Sequence, residues 1–367
     1  MTHSKTADYS QNPMIVYWET TRACALACRH CRATAMPDPD PRQLTTKEAF
    51  RLLENVADFG APTPHVILTG GDPLNRPDLN ELIAHANSLG VKVSITPAAT
   101  EALTREAIFA LKDAGIDSFG LSLDGSTAEK HDAIRQVPGC FDRTIQAAKW
   151  AGEAGLPLQV NTLLARETQD DLYDIYKLLH TFPVMRWALF FLIGVGRGRQ
   201  LHEFEPDQSE SLMEWVYDLA KKAPFQVKTT EAPSYRRVAM NKMKSAGLSG
   251  AEIRQSSIHR GFTIRDGNGI VFVSHVGDVY PSGFLPVTGG NVRQQPLKDI
   301  YRSSQVFLDV RDVDNFDGKC GRCEYRKICG GSRARAYAHT HNLKGSDPIC
   351  LYDPKVTQEL WTVSTSA

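Results

Sequence analysis

Six short apolar segments, each followed by a polar or amphipathic stretch, constrain the fold of this chain more than any other feature. The segments are MIVYWETT, HVILTGG, VKVSITP, SFGLSLDG, LPLQVNTLL and RWALFFLIG. Stretches between them, such as TTKEAFRLLENVADFG, have helical periodicity. Continuous apolar strands that alternate with helices predict a parallel sheet covered by helices, either a barrel or an open doubly wound sheet. Helices are predicted to stop near Gly60, Gly90, Gly115 and Gly155.

The sequence pattern changes after the sixth predicted strand and helix. The segment GNGIVFVSHVGDVYPSG is typical of a β-hairpin that turns at VGD, and the remainder is rich in Gly and Cys. A chain of 367 residues exceeds the comfortable size of one core, so two domains are expected. We predict a flexible tail at 1–14, a barrel at 15–200 and a helical linker at 201–260. The remainder, 261–367, is predicted to form a hairpin and a small appendage that a bound metal stabilises.

Composition and charge exclude several classes of function. Lys plus Arg and Asp plus Glu both number 42, so no net charge attracts nucleic acid or an anionic membrane. No apolar run approaches the roughly 20 residues that span a bilayer, and MTHSKTADYSQNP lacks the features of a secretory signal. We therefore expect a cytoplasmic protein with neither nucleic-acid nor membrane partners.

The eight cysteines are grouped, and a reducing cytosol favours metal ligation over disulfides. One group follows the first predicted strand with the spacing C-x3-C-x2-C, and consists of Cys24, Cys28 and Cys31. A 4Fe–4S cluster normally has four Cys ligands, so three thiolates leave one iron open to a small molecule. In parallel barrels, the carboxyl ends of strands carry the active site. The alternatives are packing cysteines or a zinc site that lacks one ligand.

A second group has the spacing C-x2-C-x5-C-x20-C and consists of Cys320, Cys323, Cys329 and Cys350. Four thiolates form a complete ligand set for an iron–sulfur cluster or for a structural zinc ion. The isolated Cys140 is predicted to be a small buried side chain.

The first cysteine motif resembles the hallmark of the radical S-adenosylmethionine (SAM) superfamily, and the resemblance extends over most of residues 15–200. It implies a partial (β/α)6 TIM barrel in which the open iron chelates the amino and carboxylate groups of SAM. An electron from the cluster would cleave SAM to methionine and a 5'-deoxyadenosyl radical, which abstracts hydrogen from a substrate. The resemblance also implies a reductant such as flavodoxin or ferredoxin.

The same resemblance implies a set of SAM contacts. LTGGDP resembles the family's glycine-rich motif for the methionine amino group, with Asp72 replacing the more common Glu. Arg135 resembles the arginine that pairs with the methionine carboxylate, and His30 would place its backbone near the adenine. Taken singly, the polar residues of this set are equally explained as caps or turns. The implied contacts are His30, Thr69, Gly70, Gly71, Asp72, Pro73, Ser94, Ser122, Asp124, Arg135 and Asn161.

The second cysteine group resembles the SPASM extension of radical SAM enzymes, which binds auxiliary 4Fe–4S clusters. Arg333 stands where a further nearby cysteine is common, and Ser282 stands where the extension often has another. The resemblance therefore implies one auxiliary cluster and two 4Fe–4S clusters in total. Zinc stays the alternative for this group.

The combined motifs resemble the subgroup of tetrapyrrole-modifying enzymes in heme and heme d1 synthesis. This implies oxidation or decarboxylation of a carboxylate-bearing tetrapyrrole, with the hairpin lining the cleft through His275 and Tyr280. Candidate carboxylate partners are Arg197, Arg199, Arg236, Arg237, Arg333 and Arg335. One alternative is a maturase for ribosomally made peptides, which the short stretch before Met14 disfavours. Another is an iron–sulfur electron carrier without a substrate, which would need no barrel.

Overall fold

One ten-stranded sheet organises the computed structural model, which describes residues 8–261 and 263–354. The strands lie in the order β10-β9-β8-β1-β2-β3-β4-β5-β6-β7. Neighbours from β8 through β1 to β7 are parallel, whereas β9 and β10 pair antiparallel at one edge. Their bounds are Ile15–Thr21 (β1), His65–Gly70 (β2), Val93–Ile95 (β3), Ser118–Ser122 (β4), Leu158–Leu164 (β5), Val184–Phe191 (β6), Gln226–Thr230 (β7), Ile270–Val273 (β8), Asp278–Tyr280 (β9) and Gly290–Asn291 (β10).

Helices connect the strands and cover one face of the sheet. Those of the first half are Thr46–Ala57 (α1), Leu79–Ser88 (α2), Arg105–Ala114 (α3), Ala128–Arg135 (α4), Cys140–Glu153 (α5) and Leu172–Leu179 (α6). Those of the second half are Pro206–Ala220 (α7), Tyr235–Ser245 (α8), Gly250–Gln255 (α9), Ser257–Arg260 (α10), Leu297–Ser303 (α11), Gln305–Arg311 (α12), Gly318–Arg322 (α13) and Arg333–Thr340 (α14). Short 3-10 turns lie at Pro73–Asn75, Gln169–Asp171, Gly196–Gln200 and Val313–Asn315.

Alternation along the strands explains where the core lies. Trp18 in β1 and Trp187 in β6 are fully buried against helices, and the residues beside them face the interior of the barrel. Side chains cap the helices that follow, as where Thr45 and Glu48 form a capping box at the start of α1. The four predicted stop glycines all have positive φ, between 65° and 95°. The six predicted βα units are thus confirmed.

The sheet is larger than the six predicted strands. Strand β7 lies within 201–260, where only helices were expected, and pairs parallel with β6. The predicted hairpin exists as β8 and β9, but β8 pairs parallel with β1 and therefore belongs to the barrel sheet. Val271 and Val273 of β8 are fully buried and so extend the apolar face of the sheet. The hairpin is therefore not part of a separate appendage.

The stretch before β1 also differs from expectation in its described part. The Tyr301 hydroxyl donates to the Tyr9 carbonyl, and Arg302 Nε donates to the Gln11 carbonyl at 2.9 Å. Residues 8–14 therefore pack on α11 rather than form a flexible tail. Residues 1–7 and 355–367, at the ends of the predicted tail and appendage, lie outside the described residues. Among the described helices, none has the length and hydropathy needed to cross a bilayer.

Candidate functional site

The first cysteine group lies in a loop that several elements hold by backbone bonds. The Cys24 amide donates to the Met36 carbonyl at 2.8 Å, and the Arg29 amide donates to the end of α4 at 2.9 Å. On the other side, both the amide and Nε of Arg197 donate to carbonyls of the loop, those of Cys31 and Cys28, each at 2.9 Å. The loop directly follows β1, so the three thiols lie at the carboxyl end of the sheet, as predicted.

The glycine motif after β2 packs directly on this loop. A Cβ on Gly70 would lie 2.4 Å from the Thr21 carbonyl oxygen, and one on Gly71 would lie 2.3 Å from that of Ala23. The Gly71 amide donates to the Thr21 carbonyl at 2.8 Å. Both positions therefore require glycine, because no side chain fits where the two backbones meet. Thr69, the last residue before this contact, is half-buried.

Asp72 and Pro73 complete the motif but are buried. The Asp72 carboxylate accepts from the Leu74 amide at 3.2 Å and from the Thr100 hydroxyl at 2.8 Å. Burial raises the pKa of Asp72 despite these donors. The side chain of Asp72 thus ties the motif to the segment after β3, and the surface open to a ligand belongs to the backbone of Gly70 and Gly71.

Two of the implied SAM contacts form a buried ion pair. Arg135 Nη2 lies 2.6 Å from Asp124 Oδ2, and Arg135 Nη1 donates to Cys28 Sγ at 3.7 Å. Burial opposes ionisation of Asp124, but the charge of Arg135, together with the two nearby histidines and the Leu163 amide, lowers the pKa of the carboxyl overall. Arg135 Nε has no hydrogen-bond partner among the described residues. The pair therefore brings α4 and β4 to the first cysteine group and leaves one donor free.

Two histidines flank this pair in neutral form. His131 Nδ1 accepts the Asp124 amide at 3.0 Å, which places its proton on Nε2. Burial, followed by the Arg135 charge, lowers the pKa of His131 to about 4. The same two causes lower the pKa of His30 to about 4. Both rings are therefore uncharged at neutral pH.

Ser122 and Asn161 are direct register partners at the carboxyl-terminal part of β4 and β5. Ser94 is not with them, and its predicted position at a strand end is wrong. Its hydroxyl lies 2.6 Å from both His65 Nε2 and Ser118 Oγ. His65 and Ser118 are the first residues of β2 and β4, so this trio lies at the amino ends of the strands, opposite the cysteine loop.

The thiols of both groups are suited to metal rather than to free thiolates. Burial raises the pKa of Cys24 to about 11, of Cys350 to about 11 and of Cys329 to about 12. All eight cysteines are free of disulfides. A buried thiol becomes a thiolate only when a metal compensates its charge, and N–H donors on sulfur support such ligation. The Leu26 amide donates to Cys24 Sγ at 3.4 Å in this way.

The second cysteine group lines one cavity with all four thiols. The Gly331 amide donates to Cys329 Sγ at 3.4 Å, and the Asp347 amide donates to Cys320 Sγ at 3.5 Å. Tetrahedral zinc would bring its sulfurs within about 3.8 Å of one another. Within the described part of the chain, the one set of three His, Cys, Asp or Glu ligand atoms within 4.8 Å is His131, Asp132 and Cys140. Within the described residues, the four thiols therefore line one cavity, and no three of them lie within 4.8 Å of one another.

Most of the candidate arginines have structural partners. Arg237 makes a bidentate pair with Glu210, and the fully buried Arg335 contacts Glu203 at 3.0 Å. Arg333 donates to three carbonyls and to Cys320 Sγ at 3.5 Å. Arg197 and Arg199 donate to backbone carbonyls through Nε. Because of these contacts, fewer arginines are free to bind a substrate carboxylate than the sequence predicted.

The hairpin was predicted to place His275 in the substrate cleft. This prediction is wrong, because His275 is only 2% exposed. Its Nδ1 lies 2.8 Å from Glu19 and its Nε2 lies 3.2 Å from Asp40. It therefore joins β1 to the segment after the cysteine loop. Tyr280 remains half-buried on β9.

Sequence reasoning missed two features of the barrel interior. Glu231 follows β7 with a left-handed φ of 59°, and burial, together with nearby Asp266, raises the pKa of its carboxyl. Arg186 and Lys228 point inward from β6 and β7. The β-branched residues of QVKTT, Val227, Thr229 and Thr230, were the available signal for a strand there.

Comparison with known proteins identifies a family and several relatives of this chain. The profile of the radical SAM superfamily matches residues 18–179. An AdoMet-dependent heme synthase of Methanosarcina barkeri is 36% identical over 342 residues, which cover 93% of this chain and 97% of that protein. An AdoMet-dependent heme synthase of Nitratidesulfovibrio vulgaris is 36% identical over 352 residues, 95% of each chain.

Solved structures share the fold at lower identity. The crystal structure of Streptococcus suis SuiB aligns with a TM-score of 0.73 and 18% identity, over 93% of this chain and 78% of that chain. Because identity is low, this likeness concerns the fold alone. It supports the partial barrel together with the cysteine-rich carboxyl-terminal region as one architecture.

Proposed function

The chain belongs to the radical SAM superfamily, and on this premise we propose that it is an enzyme that oxidatively decarboxylates a tetrapyrrole in heme-type cofactor synthesis. The observation that carries the proposal is 36% identity, over nearly the whole of both chains, to proteins named AdoMet-dependent heme synthase. The cytoplasm supplies flavodoxin or ferredoxin as the reductant.

Cys24, Cys28 and Cys31 would hold a 4Fe–4S cluster with one open iron. The buried Cys28, the partly buried Cys24 and Cys31, and the N–H donors on Cys24 and Cys28 fit this group. When bound, the cluster would supply the electron that cleaves SAM to a 5'-deoxyadenosyl radical. The chain itself holds the loop rigid through the Met36, Arg197 and α4 contacts.

The remaining residues orient SAM and exclude water. Gly70 and Gly71 present backbone to the methionine amino group, and Thr69 precedes them, while Asp72 and Pro73 fix the motif. The free Nε of Arg135 is available to the methionine carboxylate. Ser122, Asp124, Asn161 and the backbone of His30 complete the proposed set of SAM contacts; Ser122 and Asn161 are register partners, and Asp124 pairs with Arg135.

Cys320, Cys323, Cys329 and Cys350 would hold one auxiliary 4Fe–4S cluster, the second of the enzyme. Their shared cavity and the two backbone donors on sulfur support it. The barrel of this proposal spans 15–200 and is completed by β7 and β8, and the cysteine-rich domain follows.

The proposed reaction is an oxidative decarboxylation of a propionate side chain. The propionate loses one hydrogen atom, from the carbon attached to the ring, to the SAM-derived radical. The carbon–carboxyl bond then breaks, carbon dioxide leaves, and one electron passes to a one-electron acceptor; an iron–sulfur cluster, such as Cys320, Cys323, Cys329 and Cys350 would hold, belongs to that class. The product is a vinyl group, lighter by carbon dioxide and two hydrogens, or about 46 mass units.

The test is anaerobic incubation of the purified protein with SAM, reductant and iron-coproporphyrin, siroheme derivatives or cell-extract peptides, followed by mass spectrometry. The proposal expects losses of about 46 mass units per propionate from a tetrapyrrole. The control is the same incubation without SAM. Unchanged tetrapyrroles alongside a peptide that loses two hydrogens would replace the proposal with peptide maturation.

A further inference from the structure

The interior face of β6 and β7 carries two cations. In β6, Trp187 and Leu189 are buried against helices, so Arg186 and Ala188 face the barrel interior. Lys228 of β7 is the register partner of Ala188 and faces the same way. The barrel therefore has a positive wall on the side away from β1.

Arg186 is oriented without a carboxylate. Its Nε and Nη2 donate to Gln226 Oε1 at 3.2 and 3.0 Å, and its Nη1 donates to Gln159 Oε1 at 3.2 Å. Neutral amides on the two flanking strands thus fix the plane of the guanidinium while its charge stays uncompensated. No salt bridge joins Arg186 to a carboxylate of the described residues.

Lys228 has neither a hydrogen bond nor an ion pair to the described residues, and its side chain is exposed to solvent. Partial desolvation by the surrounding chain, followed by the charges of Arg186 and Arg236, lowers the pKa of Lys228 to about 8. Within the described residues, Arg186 and Lys228 therefore share one face of the sheet, and neither is paired with a carboxylate.

The register places this cation pair beside the proposed cofactor. Ser122, Asn161, Ala188 and Lys228 are successive partners across β4 to β7. Two strand spacings separate Asn161 from Lys228, or about 10 Å between backbones. A lysine side chain can reach across much of that distance to a molecule next to SAM.

We propose that Lys228 and Arg186 bind a carboxylate of the substrate inside the barrel, adjacent to the SAM site. This deepens the proposed function, because it rests on Asn161 and Ser122 marking the cofactor. Arg186 offers a preoriented planar donor, and Lys228 offers a movable point charge. A carboxylate there would relieve the repulsion between the two cations, and a neutral ligand would not.

Binding is measured by titrating iron-coproporphyrin into the cluster-loaded protein and following the porphyrin absorbance. Lys228→Met should raise the dissociation constant about tenfold or more, the effect of losing a hydrogen bond to a charged group. Lys228→Arg should restore most of the affinity. Lys222→Met, in the exposed turn after α7, is the matched control and should bind like wild type. Wild-type affinity in Lys228→Met would overturn the proposal.

Chemical labelling separates this site from the proposed reaction. Lys228 and Lys222 are acylated in the wild-type protein at about pH 8 and quantified by mass spectrometry, with iron-coproporphyrin, its tetramethyl ester or glutarate present. Protection of Lys228 by the tetra-acid or by glutarate, but not by the ester, supports the anion site even if no porphyrin is converted. Labelling that none of them changes would overturn it, even if the porphyrin is decarboxylated.

Discussion

The two cysteine groups differ in what holds them in place. The loop of Cys24, Cys28 and Cys31 is bonded to Met36, to α4 and to Arg197, all parts of the barrel. The group of Cys320, Cys323, Cys329 and Cys350 lies among short elements, and the five-residue α13 is one of them. The first group is therefore bonded to the barrel, whereas the second is held by its own short segments and by single contacts from Arg236 and Arg333. An open, reactive centre needs the first arrangement, and a closed centre tolerates the second.

The largest expected effect comes from removing the first group. Cys24→Ala, Cys28→Ala and Cys31→Ala together should abolish formation of 5'-deoxyadenosine from SAM, while about four irons remain of about eight. Because the barrel holds the loop, the unfolding midpoint should change little. Product assays and iron analysis of anaerobic protein measure both. Deoxyadenosine formed by this variant at the wild-type rate would contradict the assignment.

Removing the second group should instead lower the stability of the protein. Cys320→Ala with Cys350→Ala should remove about four irons and lower the unfolding free energy by about 2 kcal/mol or more, several degrees in midpoint. Cys140→Ala is the matched control, since that buried thiol belongs to neither group. Calorimetry and iron content give the result. Bound zinc, or a wild type with four irons, would remove the auxiliary cluster from the account.

Arg135→Lys tests the contribution of the first group's neighbour Arg135 to SAM binding. Lysine keeps the charge beside Asp124 but loses the free Nε donor, so SAM binding should weaken by about 1 to 3 kcal/mol while the iron content stays constant. Equilibrium binding of SAM measures it. Arg143→Lys, on α5, is the control. An unchanged dissociation constant would mean that Arg135 serves only its ion pair.

The smallest expected effect is a loss of stability as the pH falls. The pKa of His131 is lowered from 6.5 to about 4 in the folded protein, so the unfolded chain binds the extra proton first as pH falls. Stability is therefore present above pH 6.5 and is lost toward pH 4, by about 1 kcal/mol between 6.5 and 5.5. His131→Asn should flatten this part of the profile in denaturant titrations. An identical slope in both proteins would exclude His131 as its source.

The sequence predicted local patterns better than distant pairings. The alternation of apolar segments and helices was sufficient for the six strands, and the cysteine spacing marked the loop after β1. Strand β7 was missed because QVKTT is short and mostly polar, and β8 was assigned to an appendage because its pairing with β1 spans over 200 residues. Ser94 was misplaced because it is the middle residue of β3 and pairs with Ser118, the first residue of β4, which places it toward the amino ends of the strands.

The arginine prediction failed for a related reason. Charge alone does not tell a buried arginine with internal partners, such as Arg335, from one that awaits a ligand. Only the three-dimensional contacts separate Arg335 from Arg186, whose partners are neutral amides.

The most direct test of the account follows one hydrogen atom. Iron-coproporphyrin carrying deuterium on the propionate carbons attached to the ring is incubated anaerobically with the enzyme, SAM and reductant, and the deoxyadenosine is analysed by mass spectrometry. The account predicts that the deoxyadenosine gains about one mass unit as the porphyrin loses carbon dioxide. Deoxyadenosine that forms without deuterium, beside an unchanged porphyrin, would contradict it.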